Sequence, residues 1–88
     1  MSQREHRLNL ECRVAVRAYL AERAGVALEV ASITRGLAHS GGFDEDRVRA
    51  ALEFLSSRKH VEVVPDPDSG AHHYWKVTAE GTLAYERG

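Results

Sequence analysis

The groups able to do chemistry in these 88 residues are arginines, histidines, carboxylates and one thiol, and their spacing limits what each can do. Arg47 and Arg49 flank the outer face of a helical stretch. A guanidinium there presents a planar fork that fits a phosphate or the major-groove edge of guanine. The competing use is a solvated helix face on which these arginines pair with Asp46 or Glu53, and the two readings weigh evenly. Thr34 and Arg35, on a preceding short helix, are placed to touch backbone phosphate, although plain surface is the simpler reading. Ser57 falls on the same outer face as Arg49, and His72 and Lys76 are cations of the strand that leaves a hairpin tip.

The remaining groups argue against catalysis and metal binding. His6, His39 and His60 are scattered, and adjacent His72 and His73 point to opposite faces of a strand. With Cys12 as the one cysteine and no CxxC or HxxxH, ligand spacing for a metal is missing. Asp66-x-Asp68-x-Gly70 begins like a calcium loop, but Pro67 interrupts it and Val77 stands where the bidentate glutamate belongs. Ser40-Gly41-Gly42 reads as a helix terminator and not as a phosphate loop. No local Ser-His-Asp grouping appears, and a chain this short leaves little room for a substrate pocket. The expectation is a protein with no enzymatic activity, no catalytic residue and no cofactor.

These side chains must be positioned by a small scaffold. Leu8, Cys12, Ala15, Val16, Tyr19 and Leu20 recur at three- and four-residue steps, which predicts a first helix over residues 7–23. Arg13 and Arg17 lie opposite, where they solubilise it, and Gly25 follows as a left-handed terminator. Residues 25–30 suit two or three residues of strand. Ser32 is a good cap for a second helix over residues 33–39, with Ile33 and Leu37 inward. Asp44 caps a third helix, with Phe43 placed as a hydrophobic staple to Val48. Val48, Ala51, Leu52 and Leu55 form its inner face, and Asp46, Arg49, Ala50, Glu53 and Ser57 its outer face. Residues 61–64 and 72–77 alternate as strands about a turn over residues 65–70. Thr78 caps a last helix over residues 79–86, with Leu83 packing inward. Trp75 and Phe43 belong to the core, and His60 is partly buried.

Helix, short strand, helix, helix, hairpin, helix is the order of a winged helix-turn-helix domain. This is an α+β architecture with a three-helix core, a C-terminal β-hairpin wing and a short terminal helix. The segment from Leu52 to Val64 resembles the end of the recognition helix and first wing strand of MarR- and PadR-type regulators. Asp66-Pro67-Asp68-Ser69-Gly70 is similar to their wing tip. Tyr74-Trp75-Lys76-Val77-Thr78-Ala79-Glu80-Gly81 is similar to the aromatic, basic, Thr-x-x-Gly segment that closes their wing, and is the most specific part of the match. The resemblance covers about residues 30–85. It implies a DNA-binding transcriptional regulator with the third helix in the major groove, and a homodimer joined by helix 1 and by helix 4.

Three departures qualify it. Lys59 stands where that group usually has glycine between recognition helix and wing, so the helix is expected to run on or the turn to differ. Asp66 and Asp68 occupy the wing tip, where an arginine would meet phosphate. Asp44, Glu45 and Asp46 open the reading helix; there they complement the helix dipole, and a carboxylate accepting from cytosine or a protein-facing acidic patch are the lesser readings.

Charge is polarised along the chain. Residues 1–25 carry five Arg and three Glu, whereas residues 60–88 carry five acids and two bases, for a net charge of −1 overall. Weak net charge predicts few phosphate contacts. The composition is that of one globular domain over residues 1–88, with no membrane span and no signal-like N-terminus. A single cysteine suits a reducing cytoplasm. A second class of function stays open: a winged helix used for protein contact, as an adaptor or inhibitor, with its acidic face toward a basic partner and no DNA bound.

Overall fold

A computed structural model describes residues 2–88, leaving aside the side chains of residues 69–72. The element order is α1 (Gln3–Ala21), α2 (Val30–Gly36), α3 (Glu45–Ser57), β1 (Val61–Asp66), β2 (Ser69–Val77) and α4 (Ala79–Glu86). The strands form one antiparallel hairpin, pairing Val61 with Val77 and Val63 with Trp75. The expected strand at residues 25–30 is reduced to a single bridge, Leu28 to Trp75, with both main-chain hydrogen bonds made (2.9 and 2.8 Å).

Three helix starts rest on caps. The Ser2 hydroxyl accepts from the Glu5 amide at 3.2 Å, so α1 begins four residues before the apolar periodicity does. The Asp44 carboxylate accepts from the Arg47 amide at 2.7 Å, and Phe43 and Val48 are both buried at the staple positions. The Thr78 hydroxyl accepts from the Gly81 amide at 3.1 Å. The fourth start differs from expectation. Ser32 caps nothing, and α2 begins at Val30 after Glu29. The Leu28–Trp75 bridge pins the chain just upstream, so the helix starts as soon as the backbone is released. Gly36 ends α2 against Tyr19 of α1, where a Cβ would overlap the ring.

The core joins Cys12, Val16 and Leu20 of α1 to Ile33, Leu37, Phe43, Val48, Ala51, Leu52 and Leu55, with Val61, Trp75 and Val77 closing it from the hairpin. Each fully buried aliphatic side chain contributes about 1.5–3 kcal/mol relative to exposure. Leu83 is not among them: it is 49% exposed. The cause is Gly81, whose missing Cβ lets α4 approach the His60 carbonyl; that contact selects the buried face of α4, and Leu83 lies about 200° around from it. Val63 is exposed as well, although its cross-strand partner Trp75 is buried.

The turn from α3 into the wing settles the question raised by Lys59. The helix ends at Ser57 and Lys59 adopts φ +63°, the left-handed conformation that glycine would take. The Lys59 amide donates to Ser56 O (3.0 Å) and the His60 amide to Leu55 O (2.9 Å), the hydrogen-bond pair that closes a helix at a left-handed residue. The Thr78 hydroxyl donates to Lys59 O at 2.6 Å, and the Thr78 amide donates to His60 O at 2.9 Å. Thr78 and Gly81 thus clamp the turn that aims the wing, which gives their three-residue spacing a physical cause. The hairpin is longer than expected: Pro65 and Asp66 pair in β1, and only Pro67 and Asp68 remain as the turn. Asp66 Oδ1 accepts from the Asp68 amide at 2.9 Å and so tightens the turn locally.

Candidate nucleic-acid interface

α3 presents Asp46, Arg49, Ala50, Glu53 and Ser57 as one exposed face. On one side of it lies an open cleft of about 400 Å³ where three elements meet. The start of α2 supplies Glu29, α3 supplies Glu45, Arg49 and Glu53, and β2 supplies His73 and Trp75. Three carboxylates therefore surround one guanidinium. The Arg49 Nη1 lies 3.4 Å from Asp46 Oδ1, both largely exposed, so that pair is worth well under 1 kcal/mol and leaves the guanidinium able to exchange partners. At the hairpin tip, the negative charge of Asp66 is the main cause that raises the Tyr74 phenol above its ordinary pKa, so the tip is anionic.

The expected contact residues separate into groups. Arg49 and Arg35 are exposed, with Arg35 Nη2 3.4 Å from Ser32 Oγ. Arg47 is half-buried and turned to the other side of α3: its Nη1 donates to Asn9 Oδ1 at 2.6 Å and to the Glu5 carbonyl at 3.4 Å. It ties α1 to α3, a use the two-residue spacing from Arg49 conceals, because two residues are about 200° of helix. The Thr34 hydroxyl donates to Val30 O at 2.8 Å, inside its own helix, and the Ser57 hydroxyl donates to Phe54 O at 2.6 Å. Lys76 Nζ lies 3.3 Å from Glu62 Oε1 across the hairpin. The side chain of His72 lies outside the described residues.

Sequence reasoning passed over Arg58 and Lys59, which are exposed at the end of α3. The signal was the Arg58-Lys59 pair itself, hidden by attention to the missing glycine. It also passed over Glu29, whose place in the cleft depends on where α2 begins. Cys12 is fully buried, and burial pushes its thiol up to about 11, so it is a core residue and not a nucleophile. Among the described residues, no three His, Cys, Asp or Glu side chains gather as a metal site. Among them, too, no helix is long and apolar enough to cross a membrane.

A three-helix core with an exposed third helix and a clamped hairpin beside it has close structural parallels. The fold is a MarR-type winged helix. BpsR of Bordetella bronchiseptica, studied for regulation of its DNA binding by 6-hydroxynicotinic acid, superposes with a TM-score of 0.70 at 21% identity over 86% of this chain and 53% of its own. Wild-type apo MarR of E. coli gives 0.71 at 19% identity over 85% and 51%. MepR of S. aureus, solved with DNA, gives 0.70 at 17% identity over 86% and 58%. The chain spans about half the length of these structures. No protein-family model and no curated protein matches it by sequence.

Proposed function

We propose that this protein is a winged-helix transcriptional regulator of the cytoplasm that binds double-stranded DNA with α3 in the major groove. The observation that carries the reading is the uncovered outer face of α3, held at a set angle to the wing by the Thr78–Gly81 clamp. Structures of the same fold have been solved on DNA, MarR on its operator among them. Arg49 is the principal base or phosphate contact, Arg35 a phosphate contact from α2, and Lys59 supplies charge at the far end of α3. Lys76 and His72 contribute from the wing, and Thr34 and Ser57 support the helices that carry the arginines. Two copies, joined where α4 leaves Leu83 and Tyr85 exposed, would present two α3 helices to successive turns of the duplex.

The carboxylates Glu29, Glu45 and Glu53 set the strength of this binding. They repel phosphate, so affinity is modest and its dependence on salt shallow. Selection from a random duplex pool at low salt, followed by anisotropy titration of the winners, tests the proposal. A log-affinity against log-salt slope of about −2 to −4 is expected, and Arg49→Ala should weaken binding about tenfold. Retention of no duplex at low salt would overturn it.

A further inference from the structure

A second surface lies on the other side of α3. Leu10 and Val14, one turn apart on α1, are 44% and 59% exposed, and Phe54 of α3 is 37% exposed. With Leu55 they floor an open groove of about 270 Å³ between the two helices. Arg13, Arg17 and Arg58 stand along it and His60 closes one end; no lining residue is acidic. Three guanidinium groups thus concentrate at one groove on a chain whose net charge is −1.

Two observations mark this as more than scattered surface apolar residues. The Arg13 guanidinium lies 3.7 Å above the centre of the Phe54 ring, which holds that charge against the apolar floor instead of leaving it to roam in water. Arg17 Nε and His60 Nδ1 are buried without a hydrogen-bond partner, and both residues line this groove. The Arg17 guanidinium, short of one partner there, gains most from a carboxylate that arrives with its own apolar cover.

We propose that the groove between α1 and the C-terminal half of α3 docks an acidic amphipathic helix of a partner protein. The ridge of Leu10, Val14 and Arg17 runs along α1 for about 10 Å, enough to seat about two turns of a third helix in the groove. Leucines of the partner cover Leu10, Val14 and Phe54, and its flanking glutamates meet Arg13, Arg17 and Arg58. Charge complementarity selects this occupant: a phosphate backbone has nothing to place on the apolar floor, and a basic helix would meet three like charges. The groove lies off the outer face of α3, so the inference does not depend on DNA binding.

The probe is a fluorescein-labelled helical peptide of about 15 residues, with leucines on one face and glutamates flanking them, titrated against the full chain. A glutamine version should bind about tenfold more weakly, the loss of one or two charge-assisted contacts. Val14→Asp should abolish binding, and Arg58→Glu should shift preference to a lysine version of the peptide. Both positions are exposed, and circular dichroism checks that each variant folds. Amide shifts on adding peptide should centre on Leu10, Val14 and Phe54. Equal binding of glutamate and glutamine peptides would overturn the proposal. So would shifts confined to α4 or the outer face of α3, or a homodimer that Val14→Asp dissociates, since that would place a second copy in the groove.

Discussion

One helix, α3, carries two surfaces of opposite character. Its outer face, beside α2 and the wing, gathers Glu29, Glu45 and Glu53 around Arg49. Its other flank, against α1, gathers Arg13, Arg17 and Arg58 around an apolar floor. A net charge of −1 describes neither. What matters for recognition is which charges the fold brings together, because screening confines an exposed charge to a range of about 8–10 Å. Arg47 and Arg49 show the point in miniature: two residues apart, one belongs to the seam with α1 and the other to the cleft.

The largest test of this contrast is Gly81→Ala. The new Cβ would overlap the His60 carbonyl, so α4 and the clamp must shift. Thermal unfolding should show a loss of about 3 kcal/mol, and DNA binding should suffer because the wing is no longer aimed. Next in size, Arg47→Ala removes the tie to Asn9 and should cost about 1–2 kcal/mol by urea unfolding. In the folded fraction its DNA affinity should stay near that of the parent, whereas Arg49→Ala should weaken DNA binding and leave stability unchanged. Equal behaviour of the two variants would erase the distinction between the faces.

Lys59→Gly tests the joint between them. Relief of the left-handed φ should stabilise the fold by about 1 kcal/mol, measured by urea unfolding. Smallest at neutral pH is the contribution of Cys12. Its folded-state pKa is about 11 against an ordinary 9.0, so the folded protein keeps a proton that the unfolded chain releases. That stabilisation is present below pH 9.0 and is lost as pH rises toward about 11. Unfolding midpoints across that window should fall, and a thiol reagent at pH 7 should label Cys12 only after unfolding.

Much of the architecture is written locally. Asp44, Thr78 and the apolar spacing of α1 and α3 announce their helices, because caps and periodicity depend on residues three or four apart. The Thr78-to-Gly81 segment announces the wing closure for the same reason. The candidate contacts were less legible. Arg47, Thr34 and Lys76 look alike as polar surface in the sequence, yet each has a partner that only the fold supplies.

By itself, then, the amino-acid order determined the element sequence, the winged-helix class and the composition of each helix face. The tertiary structure decided where α2 begins, which side of α4 is buried, that Lys59 accepts a left-handed turn, and which charges share a cleft. Local signals carry the first set because they are short-range hydrogen bonds and periodic burial. The second set depends on contacts between residues far apart in the chain, Leu28 with Trp75 and Gly81 with His60, whose free energy overrides the weak preference of any single residue.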